Sequence, residues 1–291
     1  MFFNGRGIRV LHSIFGRKML KSFALVTDQS DVKKRTPFAK YKFYSLAVQS
    51  PDNDVEFLFA AYEEIRKRRP YALREDFCGT FQISCEWVKL SRDNEAFGLD
   101  LDPEPIRYGR EHYFDKLTPD QQRRLFVTQQ NVLQPKVPKV DVIAAMNFSY
   151  YLFKRREQLK TYFRKCYEGL KPGGLLFADC FGGPLCQEAN EERRGIGRFN
   201  YYWEQESYDP VTNYAVFHIH FKRRHERKKK YVFSYDWRMW TIPELRELML
   251  EVGFKSTHLY WEGTTRSGEG TGVFKRVETG EECDAWVADV V

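Results

Sequence analysis

The 291-residue chain has no Cys-x-x-Cys pair, and its six cysteines, at 78, 85, 166, 180, 186 and 283, follow no even spacing. That argues against a disulfide framework and against a zinc site of the usual ligand spacing, and for a reducing compartment. No apolar run approaches the roughly 18 residues of a membrane span, so no transmembrane segment is expected. Acidic residues are missing from positions 1–27, which carry Arg6, Arg9, Arg17, Lys18 and Lys21. Ile8, Leu11, Phe15 and Met19 fall near one helical face there, the pattern of a mitochondrial presequence. A surface helix, or a true start at Met19, are the other readings. The expected localisation is cytoplasmic, with mitochondrial as the alternative.

What is present is a core-forming composition: 42% hydrophobic, 16% aromatic and 30% charged residues. This excludes a disordered or fibrous chain, and the length allows one large domain or two small ones. The net charge of +7 is unevenly placed. Residues 1–27 carry +5 and the run 222–230 (KRRHERKKK) carries +6, which leaves the remaining body at −4. A nucleic-acid groove normally spreads its cations over one face, whereas these sit in two segments.

Residues 1–40 read as an extension. From Tyr41 helices and strands alternate: a helix over 56–67, a strand over 71–77, a helix over 82–90 and a strand over 96–101. Asp102 before Pro103 predicts a helix start. Short apolar strands follow at 125–128, 140–146 and 174–181, with a helix over 154–170 between the last two. Strands separated by helices imply βαβ units and a mostly parallel sheet. After Gly183 the rhythm changes. Segments 199–206, 213–221 and 230–236, rich in aromatic and β-branched residues, predict an antiparallel insertion with the basic run at a hairpin tip. Thr241 and Glu244 form a capping box opening a helix that ends at Gly253. Strands over 254–261 and 271–277 and a polar tail complete the chain. The expected organisation is thus an extension (1–40), a core (41–182), an inserted cover (183–240) and completion of the core (241–291).

Two segments carry chemistry. Arg74-Glu-Asp-Phe-Cys-Gly-Thr-Phe81 lies at a strand-to-helix turn, where backbone N–H groups meet an anionic ligand group. Some 21 residues on, Asp100 and Asp102 stand at the tip of the next strand, where a carboxylate can accept both hydroxyls of a ribose. Asp102 doubles as the helix cap.

These segments resemble the class I S-adenosylmethionine-dependent methyltransferases. Glu75 matches the family's acidic residue before its glycine loop, Cys78-Gly79-Thr80 the loop centre, and Asp100 the ribose-binding carboxylate. Asn131 falls where the family often contacts adenine, and Asp141 through Asn147-Phe-Ser-Tyr150 looks like the fourth strand and its loop. Leu170-Lys-Pro-Gly-Gly-Leu and Glu251-Val-Gly-Phe resemble the turns into strands five and six. The match spans roughly 71–182 and 241–277. The strings YKFYSLAVQSP, LREDFCGT, NFSYYLF, YDWRMWT and YWEG look like a mostly uncharacterised bacterial branch of the family. The resemblance implies a Rossmann-like fold with a seven-stranded, mostly parallel sheet and S-adenosylmethionine as cofactor. It also implies a cofactor set of Tyr44, Arg74, Glu75, Cys78, Gly79, Asp100, Leu101, Asn131, Val132, Asn147 and Phe148. The sequence departs from the pattern at Phe77 and Phe81, where the family has glycines; a Cβ there restricts positive φ.

The acceptor is read as a small molecule, aromatic or amine, held by rings of the insertion and late strands: Tyr201, Tyr202, Trp203, Tyr235, Trp237, Trp240, Tyr260 and Trp261. Packing of those rings into the core is the plainer reading. Asn147, Tyr150, Glu204, Arg238 and Glu262, with Asp236, are the polar candidates beside it. RNA or protein substrates reached by the 222–230 run, and a non-catalytic binder of the cofactor, are the alternatives. His218 and His220 alternate along one strand and can pair on a metal, but no carboxylate spacing completes a site, so they are expected to face solvent and no metal is expected.

Overall fold

Two strands are buried at every residue: β1, Ala72–Asp76, and β4, Val140–Ala145. They are neighbours at the centre of the main sheet in a computed structural model that describes residues 38–265 and 270–291. The N-terminal segment read as a presequence or surface helix, with Met19, lies outside the described residues.

The main sheet is completed by β2 (Glu95–Asp100), β3 (Leu125–Gln129), β5 (Leu170–Gly182), β10 (Leu259–Thr264), β11 (Gly270–Val277) and β12 (Trp286–Val290). Its order is β11-β10-β12-β5-β4-β1-β2-β3. β1 to β5 run parallel, and β12 is antiparallel to both β5 and β10. The chain order reverses between β1 and β4, so a crevice opens beyond their carboxyl ends.

Alternate side chains of these strands feed two cores. Leu73, Val142, Ala144 and Phe177 pack under α2 (Pro51–Arg66) and α3 (Gln82–Leu90). Ile143, Ala145, Leu176 and Ala178 pack on the other face with residues of α6 (Arg156–Gly169) and α7 (Ile242–Val252). α4 (Pro103–His112) follows β2, with the Asp102 carboxylate accepting from Glu104 N–H. α5 (Pro119–Arg123) and α7 both begin in capping boxes, Thr118 with Gln121 and Thr241 with Glu244.

The expected mixed architecture is present, with two differences at the sheet margins. The main sheet has eight strands rather than seven. The segment read as a polar tail contains β12, whose Val287, Ala288 and Val290 are buried between β5 and β10, leaving β11 as an outer edge. The insertion has four strands rather than three: β6 (Asn190–Ile196), β7 (Phe199–Asp209), β8 (Tyr214–Arg223) and β9 (Lys229–Arg238), in that order. β6, with the sequence NEERRGI, lacks apolar alternation and is drawn into the sheet by pairing along β7.

The inward face of the insertion carries Tyr201, Trp203, Phe217, Ile219 and Trp237, which join the same core as α6 and α7. Helix α1 (Lys40–Val48) lies beside it, with Phe43 against Phe199 and Tyr44 against Phe233.

Candidate functional site

β1 ends at Asp76 and the chain turns through Phe77 to Phe81 into α3. Three alternate residues of that turn are left-handed: Phe77 at φ +54°, Gly79 at +52° and Phe81 at +49°. The two phenylalanines therefore hold the conformation expected to require glycine, at an order of 1–2 kcal/mol each. Burial of their rings offsets that strain. Phe81 is fully buried beside Gly109, where an added Cβ would approach its ring to 2.4 Å. Phe77 packs on Phe153 and Tyr162. Both rings thus turn away from Gly79, where a Cβ would meet nothing within 4 Å.

The loop is tied to β2 by its backbone. Gly79 N–H donates to Asp100 Oδ2 at 2.7 Å, Asp102 N–H to Asp100 Oδ1 at 2.9 Å, and Cys78 N–H to the Leu99 carbonyl at 3.0 Å. Glu75 accepts from both N–H and Oγ of Ser84, at 2.8 and 2.5 Å. Its burial pushes the carboxyl up to about 7, and burial also raises that of Asp100. The Cys78 thiol lies against Gly98, and burial pushes its pKa well up, unlike an activated nucleophile.

A second turn follows β4. Asn147 and Phe148 are both left-handed, at φ +59° and +58°. Their N–H groups converge on the buried Asp179 carboxylate of β5, at 2.6 and 2.8 Å. This clamp fixes the Asn147 backbone at the edge of the crevice.

Between these turns lies a cavity of about 250 Å³. Its floor is Glu75, Cys78, Gly79, Asp100, Asp102 and Asn147, and its roof is Tyr41, Tyr44 and Gln49 from the α1 region with Phe233 and Tyr235 of β9. The Tyr44 and Tyr235 hydroxyls are hydrogen-bonded to each other. Gln82 Nε2 donates to Gln49 Oε1 at 2.5 Å, and Ser45 Oγ donates to Gln82 Oε1 at 3.0 Å. Among the described residues no Lys or Arg lines the cavity. A carboxylate-lined hollow of this kind suits a ligand that carries positive charge and hydroxyls.

Of the residues expected to bind a cofactor, Tyr44, Glu75, Cys78, Gly79, Asp100 and Asn147 line the cavity. Five do not. Arg74 is 1% exposed on the opposite face of β1, where its guanidinium forks onto Asp76 at 2.9 and 2.8 Å and Tyr162 OH adds a third bond to that carboxylate. Leu101 is 61% exposed on the surface. Asn131 caps its own turn by accepting from Leu133 N–H, and Val132 is buried in the core behind it. Phe148 packs on Phe181, its side chain turned from the crevice.

Among the polar candidates only Asn147 reaches the cavity. Tyr150 is fully buried and donates to the Asp179 carbonyl. Arg238 bonds Glu244 and lies over the Trp240 ring, and Asp236 pairs with Lys154. Glu262 accepts from Gly272 N–H near the far sheet edge. The aromatic cover resolves similarly. Tyr201, Trp203, Trp237 and Trp240 are core rings, Tyr260 and Trp261 are buried on β10, and Tyr202 lies under Lys228, which leaves Tyr235 as the member that lines the cavity. Thr80 and Ser149, inside the two loops read from the sequence, line it as well, and Gln49, Ile83, Pro105, Met146 and Phe233 line it without having been anticipated. Proximity of Ile83 to the first loop was the one available signal.

The histidines are corrected outright. His218 and His220 are buried, not solvent-facing, beneath the edge of the Tyr231 ring. Carboxylates are also at hand: Glu206 at 2.7 Å from His218 Nε2, and Glu204 at 2.5 Å and Glu191 at 4.0 Å from His220 Nε2. Glu191, Glu204 and His220 thus form a group of metal-ligating type. However, Tyr231 N–H donates to His220 Nδ1 at 2.8 Å. In the neutral ring that leaves the proton on Nε2, donating to Glu204, with no lone pair there for a metal.

No protein-family model and no curated protein matches the sequence. Solved structures do. An S-adenosylmethionine-dependent methyltransferase from Clostridium acetobutylicum is 14% identical, with 86% of this chain and 96% of that one covered at a TM-score of 0.59. An amino pentose methyltransferase from Micromonospora echinaspora is 11% identical, with coverages of 88% and 99% and a TM-score of 0.60. A sugar N-methyltransferase from Streptoalloteichus is 15% identical, with coverages of 92% and 99% and a TM-score of 0.57. The chain has the Rossmann-like fold found in these methyltransferases.

Proposed function

We propose that this chain is an S-adenosylmethionine-dependent methyltransferase that acts on a small-molecule acceptor. The observation that carries the reading is the cavity at the β1–β4 reversal, where an open Gly79 and the Asp100 carboxylate face Asn147 beneath α1 and β9. In this reading residues 41–182 and 241–291 form the cofactor core, and 183–240 cover it.

The residues present fit the cofactor. Asp100, held by two backbone N–H groups, has lone pairs left for a ribose diol, and Gly79 allows close approach of a ligand to the loop. Asp100 and Asp102 add negative potential for a sulfonium and an ammonium group, and Glu75 adds a buried carboxyl beside them. When bound, S-adenosylmethionine supplies an activated methyl carbon for in-line displacement. The chain's part is to align the acceptor and to exclude water. Tyr44, Tyr235 and Phe233 close the roof, and Asn147, fixed by the Asp179 clamp, presents an amide to the acceptor.

The similar solved structures with sugar acceptors favour a small molecule over RNA or protein. The non-catalytic reading was motivated by Phe77 and Phe81, and the loop's glycine-like backbone at both positions weighs against it. The test is methyl incorporation. Incubated with methyl-labelled S-adenosylmethionine and a cell extract that is then separated into small-molecule, RNA and protein fractions, the protein is expected to label at least one low-mass product. Labelling confined to RNA or protein fractions would overturn the small-molecule reading.

A further inference from the structure

A larger hollow of about 760 Å³ lies beside the cavity. The two share their walls. Tyr41 of α1 lines both; α4 gives Pro105 to the inner cavity and Arg107 to the outer cleft; β9 gives Tyr235 to the inner and Lys229 and Lys230 to the outer. The two hollows meet at Tyr41, and the outer falls within the ~300–1,000 Å³ of small-molecule pockets.

The charge reverses from one hollow to the other. Among the described residues the inner lining has carboxylates and no Lys or Arg; the outer carries Lys40, Arg107, Lys229 and Lys230 against Glu104 and Glu111. Lys40 is engaged by Glu104 at 2.6 Å. Among the described residues no carboxylate lies within ion-pair distance of Arg107, Lys229 or Lys230, and Arg107 and both lysines are exposed. One wall is aromatic: Tyr108 stacks on His112 at 3.8 Å, and Tyr41 lies 5.2 Å from Tyr108.

We infer that the outer cleft is the anchoring half of the acceptor site and takes a small molecule that bears a phosphate or carboxylate beside a planar ring. Its methyl-accepting end reaches past Tyr41 into the inner cavity. The inference rests on the methyltransferase reading for the word acceptor, but the anion site stands on its own geometry. Arg107 offers a planar fork and the two lysines compact charges for one anionic group, and the Tyr41–Tyr108 wall offers a face for the ring. A polynucleotide would need cations tracking along a surface groove, whereas these line a single hollow.

The test titrates phenyl phosphate into the full chain by calorimetry, with and without saturating S-adenosylhomocysteine. Saturable binding is expected. It should weaken at least about tenfold in Lys229→Ala/Lys230→Ala and in Arg107→Ala, with loss of a charge-assisted contact, while affinity for S-adenosylhomocysteine stays within about twofold because none of the three lines the inner cavity. Phenol, the same ring without the anion, should bind at least about tenfold more weakly. No saturable binding of phenyl phosphate, or binding unchanged in both variants, would overturn the inference. So would a short single-stranded RNA that binds far more tightly than phenyl phosphate and is lost in the same variants. Failure of S-adenosylhomocysteine to bind would remove the methyltransferase reading, while the cofactor-free titration still reports on the anion site.

Discussion

Glu75 stands in a central strand, 5% exposed, with its carboxyl pushed up to about 7 by burial. The folded chain therefore holds this proton more tightly than the unfolded chain, whose glutamate titrates near 4.5. The contribution to stability is fully present below about pH 4.5, falls as pH rises, and is lost above about pH 7. Glu75→Gln keeps an oxygen for Ser84 and removes the titration. Relative to wild type it should gain about 3 kcal/mol between pH 4 and pH 8, read from denaturant unfolding at both values; a difference constant with pH would contradict this. Other single residues show what the sequence discloses. Asp100 and Gly79 were legible because a carboxylate at a strand tip and a glycine in a strand-to-helix turn do chemistry through position. Arg74 was misplaced because strand alternation sends it to the face opposite Glu75, where Asp76 and Tyr162 satisfy it. Gln49 and Phe233 carry no signature of a site; they arrive there only through tertiary packing.

At the scale of elements, α1 is the least secured part of the roof. It has no side-chain cap, and it is tied to the core by Lys40 to Glu104, by Ser45 to Gln82 and by ring contacts with the insertion. The Lys40–Glu104 pair is one-third to one-half exposed, so it contributes at most about 1 kcal/mol. Lys40→Ala should accordingly raise amide hydrogen exchange over 40–48 by no more than about fivefold and leave α3 unchanged. Equal acceleration in both helices would show that α1 does not open on its own. The start of α7 was legible because the signal is local: Thr241 and Glu244 bond each other within one turn. The short α5, with the same signal at Thr118 and Gln121, was not read. β6 and β12 were not legible. Their sequences are acidic, short or interrupted by charge, and each becomes a strand because a neighbouring strand offers unpaired backbone, β7 to one and β5 with β10 to the other.

At the scale of the whole molecule, charge is partitioned rather than merely positive. Within the basic run Arg223 is held by Glu226 and Lys228 by Glu191, while Lys229 and Lys230 open onto the outer cleft. The inner cavity is lined by carboxylates. The sequence located the run and a mildly acidic body, but only the fold sets the two beside each other. Among the described residues no helix is long and apolar enough to cross a membrane. Binding of S-adenosylmethionine in the inner cavity through Asp100 is tested by calorimetric titration of S-adenosylmethionine and S-adenosylhomocysteine into wild type and Asp100→Ala. Saturable binding of both to wild type is expected, with a loss of roughly 10- to 100-fold in the variant, the scale of one or two hydrogen bonds to a charged group. No binding of either at high micromolar concentration, or equal affinity in the two proteins, would contradict it.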